Sequence, residues 1–323
     1  MKEFVDQDVL VTGGTGSFGQ IIVRQLLKHN VAQVRVFSRD EAKQDLMRER
    51  FSDPRIHFIT GDVRDADSVV SAMEGADYVF HAAALKQVPN CERHPIEAIR
   101  TNTLGSQNVR VAALRCMPKA VVAISTDKAC SPINTMGLSK ALMERIFLQD
   151  YASPRLRDGS AALRFLCVRY GNVVGSRGSV VPLFADRIKA GRPLPITDAR
   201  MTRFLLLLPD AVETAMVACI HGNQGELWVR KMPAATIAQL VTAMSPRPDY
   251  PVETIGVRPG EKMHEVLVNE DEMRRAEERG DYYVVGAAPA MPPPRAGEYT
   301  SDNTHRLSTE DLRDLLRRAE MIA

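Results

Sequence analysis

Asp127 and Lys128 are neighbours in Ser125-Thr126-Asp127-Lys128, and Lys140 follows shortly after. A carboxyl and an amine on adjacent residues shift each other's pKa, which suits one to give a proton and the other to take one. The hydroxyls of Thr126 and Ser125 could orient a reacting hydroxyl beside them. Four residues before Lys140 stands Met136, whose thioether exchanges no proton and offers only packing and a weak acceptor sulfur. Acid–base chemistry in this stretch therefore rests on Thr126, Asp127, Lys128 and Lys140. An exposed ion pair would use the same two residue types at 127 and 128, and the sequence leaves that simpler reading open.

A second group of residues suits phosphate. Thr12-Gly13-Gly14-Thr15-Gly16-Ser17-Phe18-Gly19 follows the apolar run Val9-Leu10-Val11 and opens the amphipathic stretch Gln20 to Lys28. Glycine is needed where such a turn is tight, where backbone approaches a pyrophosphate and where helix packs on strand; amides at the helix start then hold negative charge. The Gly-x-x-Gly-x-x-Gly spacing of Gly13, Gly16 and Gly19 suggests the short-chain dehydrogenase/reductase class, with Thr15, Ser17 and Phe18 completing the loop. After the second apolar run the chain reads Ser38-Arg39-Asp40-Glu41-Ala42-Lys43, where an NAD-binding chain would place an acid for the ribose. Arg39 and Ser38 could instead take a 2′-phosphate, with Lys43 one helical turn on, so NADP is the expected cofactor; Asp40 turned inward would serve NAD. Asp62-Val63 should border the adenine, and Ala82-Ala83-Ala84 supply small side chains where backbone passes close to a cofactor. His81 reads as a strand-end packing residue, and His264 has no assigned role.

These residues need a scaffold, and the hydrophobic pattern describes one. Short apolar runs at Val9-Leu10-Val11, Val34 to Phe37, Ile56 to Ile59, Tyr78-Val79-Phe80, Ala120 to Ile124 and Phe165 to Val168 alternate with helical periods at Gln20 to Lys28, Asp65 to Met73, Pro95 to Leu114 and Met136 to Gln149. The expected fold is α/β, a Rossmann-type doubly wound parallel sheet with a smaller, mostly helical substrate-binding lobe. Residues 1–169 would form the NADP-binding domain, with about 205–224 returning to it, and 170–323 mainly the lobe and carboxy-terminal tail. Helices are predicted there at Pro182 to Ala190, Leu208 to His221, Thr236 to Met244 and Ser308 to Ala319. Gly286 to Gly297, with four prolines, reads as extended or flexible.

Composition bounds the rest. With 42 basic and 40 acidic residues among 323, the net charge of +2 offers no bulk attraction to nucleic acid or to a membrane surface. Five scattered cysteines without Cys-x-x-Cys spacing fit reduced thiols better than a disulfide or zinc framework, so no metal is expected. The first residues lack a signal peptide's apolar stretch, and no run approaches the roughly 20 apolar residues of a spanning helix. A soluble, cytoplasmic protein is the expectation.

Taken together, the chain resembles the extended short-chain dehydrogenase/reductases, and within them the nucleotide-sugar 4,6-dehydratases acting on UDP-N-acetylglucosamine, including the subgroup that also inverts carbon 5. The resemblance runs nearly end to end, through Ser38 to Glu41, Ala84-Leu85-Lys86, Ser125 to Ala129, Arg169-Tyr170-Gly171-Asn172-Val173, Gly175 to Ser179, Ile196-Thr197-Asp198, Arg200 to Phe204 and Arg258-Pro259-Gly260-Glu261-Lys262. It implies an NADP cofactor reduced and reoxidised within one turnover: hydride leaves carbon 4, water is eliminated across carbons 5 and 6, and hydride returns to carbon 6. It implies Lys128 as the carbon 5 base and Asp127 as the acid for the departing hydroxyl. A tyrosine would ordinarily occupy position 136 and deprotonate the carbon 4 hydroxyl, so that task passes to Lys140, directly or through a water. Similar chains with methionine there belong to the inverting subgroup, which favours inversion here.

For the substrate diphosphate the guanidinium forks of Arg203 and Arg258 are the leading cations. By resemblance Asn172 lies near the pyrophosphate or sugar, Lys86 near the hexose and Glu261 on the uridine ribose. Cys130 and the aliphatic Leu205 to Leu208 depart from the family pattern without touching a chemical role. Apolar faces at Ile96 to Leu114 and Met136 to Gln149 suit either a subunit interface or core, and a homo-oligomer is expected. Two other readings stay open: a nucleotide-sugar 4-epimerase on the same fold, and a noncatalytic NADP-binding regulator.

Overall fold

Apolar runs with little alternation need cover on both faces, and a parallel sheet between helices provides it. The computed structural model describes residues 1–149, 163–176, 178–286 and 293–322. Six runs form β1 (Asp8–Thr12), β2 (Gln33–Ser38), β3 (Ile56–Thr60), β4 (Tyr78–His81), β5 (Ala120–Ile124) and β6 (Arg164–Arg169), parallel in the order β3-β2-β1-β4-β5-β6. Leu227–Arg230 joins β6 in parallel, and the antiparallel hairpin Ala276–Arg279 with Tyr282–Val285 completes nine strands. Strand order reverses between β1 and β4, which opens a crevice at the carboxyl ends of the strands.

Period-two alternation sends Val9 and Val11 to one side and Leu10 to the other. Val9 and Val11 pack with Phe18, Ile22 and Leu26 of the helix Ser17–Lys28 and with Val212, Ala215 and Met216 of the helix Leu208–His221. Leu10, Val79 and Val121 pack with Met73, Val109, Met143 and Phe147 from the helices Ala66–Met73, Gly105–Cys116 and Thr135–Phe147. Truncating Leu10, fully buried, to alanine should cost about 2–5 kcal/mol. A third core gathers Val181, Phe184, Leu240, Leu312 and Leu316 from the helices Val180–Lys189, Ile237–Met244 and Thr309–Arg318. Beside it Thr202–Leu206 pairs with Asn172–Val173 and Ala234–Thr236, and Val266–Val268 pairs with Tyr299–Thr300.

The predicted helix Pro95 to Leu114 is broken by a wide π turn at Ile99–Leu104. That turn buries Asn102, which donates to Leu85 O at 2.9 Å and accepts from Leu85 N–H at 2.8 Å, so side-chain bonds to the loop after β4 accompany the irregular turn. The helix Glu41–Phe51, rich in charge, and the strand Leu227–Arg230 gave too little periodicity to be read from the sequence. Pro289 and Pro292 of the proline-rich segment lie outside the described residues. Among the described residues no helix is long and apolar enough to cross a membrane.

Candidate functional site

The glycine loop sits at the carboxyl end of β1. Gly13, at φ +66°, runs so close to the chain after β4 that an added Cβ would lie 2.8 Å from the Ala83 backbone, and Ala82 N–H donates to Thr12 O at 3.1 Å. Gly19 is equally constrained, with Gly14 O 2.3 Å from where its Cβ would be. Gly16 caps the helix Ser17–Lys28 without a side-chain bond, so no cap side chain takes the first amides, which suits a phosphate anion. Thr15 Oγ1 and Ser38 Oγ lie 2.8 Å apart across β1 and β2, and Phe18 stacks on Tyr170. The loop thus fits the pyrophosphate of a dinucleotide. Ala84 follows Ala82 and Ala83 on the chain leaving β4.

Just after β2, Asp40 accepts the Lys43 N–H at 3.0 Å and caps the helix Glu41–Phe51, while the Lys43 ammonium pairs with the same carboxylate. These bonds hold Asp40 below the usual carboxylate range. Arg39 stays exposed, 3.4 Å from Asp62, which Arg64 grips at 2.6 Å. Val63 is buried against Gly105, and its carbonyl accepts from Asn108.

After β5 the chain turns through a single 3-10 turn, Asp127–Ala129, capped by Thr126. Asp127 is 1% exposed. Its Oδ1 accepts from Lys128 Nζ at 3.0 Å and Thr126 Oγ1 at 2.9 Å, while Oδ2 has no partner. An exposed ion pair is therefore excluded. Burial pushes the Asp127 carboxyl up, Lys128 opposes this, Glu265 adds to it, and the net shift is upward. Lys128 also lies 3.1 Å from Glu265 Oε1; burial works against its charge, but Asp127 and Glu265 outweigh burial and hold its pKa above the ordinary lysine value. For Glu265 burial is again the largest influence, and Lys128, Arg203 and Lys262 overcome it to keep the carboxyl low. Sequence reading missed Glu265, since one glutamate after His264 carries no spacing signal.

Lys140 lies on the helix Thr135–Phe147, which Asn134 caps through Gly137 N–H. Its Nζ donates to Ile124 O at 2.8 Å and to Met143 Sδ at 3.3 Å, and burial pushes its pKa down to about 8. Met136, one turn earlier, is packed with Cys91 and Ala98 against Leu85 and Val88. His81 bridges Thr12 Oγ1 at 2.7 Å and Ser106 Oγ at 2.9 Å; burial, then Lys140, push it down to about 3, which keeps it a neutral packing link.

On the lobe side Arg203, Asn172, Ser179 and Thr236 line a narrow cavity of about 20 Å³ at the start of the helix Val180–Lys189. Arg258 is exposed on a loop, 3.8 Å from Glu261. Gly260 at φ +81° brings that loop against Asn134, whose Nδ2 donates to Gly260 O at 2.9 Å, and Lys262 Nζ donates to Cys130 O at 2.7 Å. The loop thereby docks on the segment following Lys128. Lys86 is exposed just beyond Leu85. Ser125 Oγ, Asp127 Oδ2, Asn172 Oδ1, Ser179 Oγ, Glu261 Oε2 and Glu265 Oε2 are buried oxygens without partners. Buried polar atoms are normally satisfied, so acceptor oxygens left over on these residues suit a hydroxyl-bearing ligand. Among the described residues no cluster of His, Cys, Asp or Glu could hold a metal ion.

Residues 9–287 match the family model described as polysaccharide biosynthesis protein. The chain belongs to this family. A relative, the UDP-glucose 4-epimerase of Rickettsia canadensis (strain McKiel), is 46% identical over 97% of this chain and 96% of its own. The X-ray structure of Pen from Bacillus thuringiensis superposes with a TM-score of 0.89 at 39% identity, covering 98% of both chains. At 21% identity and a TM-score of 0.72, DesIV from Streptomyces venezuelae, a dTDP-glucose 4,6-dehydratase solved with NAD and TYD, shares the fold over 96% of each chain. This chain is accordingly a member of the polysaccharide biosynthesis family with the fold of these solved structures.

Proposed function

We propose that the protein is an NADP-dependent 4,6-dehydratase of UDP-N-acetylglucosamine, yielding a 4-keto-6-deoxy sugar with inversion at carbon 5. The observation that carries this reading is the buried Asp127 carboxyl bonded to Lys128, because burial raises its affinity for a proton and a buried carboxyl beside an amine can act as a general acid. Asp127 gives its proton to the hydroxyl departing from carbon 6. Transfer of the Lys128 proton to Asp127 Oδ1, 3.0 Å away, leaves Asp127 the acid for that hydroxyl and Lys128 the neutral amine that takes the proton of carbon 5. Lys140 accepts the proton of the carbon 4 hydroxyl, directly or through a water, with Thr126 or Ser125 orienting that hydroxyl and Met136 supplying packing alone. The dinucleotide would supply reversible hydride storage. Its residues are Gly13, Thr15, Gly16, Ser17, Phe18, Gly19, Asp62, Val63 and Ala82 to Ala84, with Ser38, Arg39 and Lys43 at the 2′-phosphate. NADP is favoured over NAD because Asp40 is engaged as a helix cap. Arg203, Arg258, Asn172, Lys86 and Glu261 bind the UDP-sugar. The exposed apolar side chains Ile96, Ile99, Leu104, Leu138 and Leu142 support a homo-oligomer.

A second reading, a 4-epimerase, is favoured by the name of the Rickettsia relative. An epimerase moves hydride at carbon 4 only and has no use for an acid aimed at carbon 6. Incubation with UDP-N-acetylglucosamine in heavy water, followed by mass spectrometry, separates the two. A product lighter by one water and carrying deuterium at carbon 5 is expected; a product of unchanged mass means the epimerase.

A further inference from the structure

Lys128 is gripped from two sides by carboxylates that reach it along unrelated routes. Asp127 Oδ1, its own neighbour, lies 3.0 Å from Nζ, and Glu265 Oε1 lies 3.1 Å away on the opposite part of the chain. Both carboxylates are at least nine-tenths buried, and each keeps one oxygen without a partner. The backbone around Glu265 is fixed with unusual thoroughness. Glu265 N–H donates to Ser301 Oγ at 2.9 Å and Ser301 N–H returns a bond to Glu265 O at 2.8 Å. Ser301 Oγ also lies 2.6 Å from Thr202 Oγ1, which contacts His264 Nδ1 at 2.8 Å. Thr202 N–H donates to Met263 O at 3.0 Å. Three separate segments, the strand bearing Arg203, the residues after Lys262 and the tail strand Tyr299–Thr300, thus converge to set one carboxylate against one ammonium.

We infer that Glu265 is the positioning residue for Lys128: its carboxylate holds the ammonium against Asp127 and keeps the proton on it in the resting site. The charged groups facing this ammonium are Asp127 from its own turn, Glu265 from the segment before Val266–Val268, and Arg203 from the strand Thr202–Leu206; Lys262 acts on Glu265, and the imidazole of His264 is tied to Thr202. The two carboxylates outweigh Arg203 at the Lys128 nitrogen. Replacing Glu265 by a neutral isostere leaves Asp127 as the one carboxylate partner and leaves Arg203 without its counter-charge. A sugar hydroxyl bonded to the free Glu265 Oε2 would disperse the same negative charge and loosen the proton that Lys128 must lose. The consequence for turnover rests on the dehydratase reading above; the hold on the proton does not.

The test follows the Lys128 side chain by NMR in protein labelled at the lysine Cε, with the signal assigned through Lys128→Arg. In the native protein it should titrate above the ordinary lysine value of about 10.4. In Glu265→Gln the midpoint should fall by at least one pH unit, and Glu265→Asp, which keeps the charge at shorter reach, should recover part of the shift. An unmoved midpoint in folded Glu265→Gln overturns the inference. If that variant does not fold, the native midpoint decides: a value at or below the ordinary lysine overturns the inference, a value above it supports it. The titration needs no turnover, so native enzyme that removes no water from the nucleotide sugar would defeat the proposed function and leave this result standing.

Discussion

Among the described residues, the buried ion cluster around Arg169 and the one around Lys128 are satisfied to different degrees. Arg169 at the end of β6 bonds Glu144 at 2.7 and 2.5 Å, Glu272 at 2.7 and 2.8 Å and Leu267 O at 3.0 Å, so all four carboxylate oxygens are taken. Asp127, Lys128 and Glu265 share shorter side chains and fewer bonds, and two of their carboxylate oxygens have no partner. The first cluster ties β6, the helix Thr135–Phe147 and the segment around Glu272 together, with nothing left to bind. The second leaves acceptor capacity for a visitor. Burial and charge are common to both; the leftover hydrogen-bonding capacity separates structural work from chemical work.

Asp127→Asn should lower turnover by about 10²–10⁴-fold, as loss of a general acid does, with an unfolding midpoint close to that of the native protein. Steady-state product formation and a urea titration read the two effects, and a collapsed fold would place Asp127 with the structural cluster. Arg169→Met strands two buried carboxylates and should cost about 3–5 kcal/mol in the same urea titration; a variant as stable as the native chain would remove the distinction.

Outside both clusters Arg39→Ala should weaken NADP by about 10- to 100-fold, the worth of one or two charge-assisted hydrogen bonds, while NAD affinity hardly changes. Competitive fluorescence titration checks this, and equal loss of both cofactors would count against a 2′-phosphate contact. Lys140 sharpens the picture as a buried cation whose direct bonds go to a carbonyl and a thioether. With its pKa pushed down to about 8, it accepts a proton only as the neutral amine, so single-turnover oxidation at carbon 4 should rise as pH increases through about 8 and level off above it. Below that point the rate should fall by up to about tenfold per pH unit. A profile flat across this range would remove Lys140 as the base.

The difference between the clusters also explains what could be read in advance. Asp127 and Lys128 stood out as candidates because an adjacent acid and amine follow a strand and match a family motif, and Lys140 because Met136 precedes it by one turn. Arg169 drew notice only as part of a family motif, since its partners Glu144 and Glu272 are far away in the chain. The wide turn at Ile99–Leu104 escaped a periodicity that assumes one regular helix. Glu265 escaped altogether.

Local interactions repeat with a fixed spacing, so the sequence by itself determined the alternation of β1 to β6 with their helices, the glycine loop on the first of them, and the acid–base types at 127, 128 and 140. Glu265 meets Lys128 because Ser301, Thr202 and His264 pull distant segments into register. Burial then pushes the Asp127 carboxyl up and the Lys140 amine down. Those are properties of distance and dielectric, and they exist only once the chain has closed upon itself.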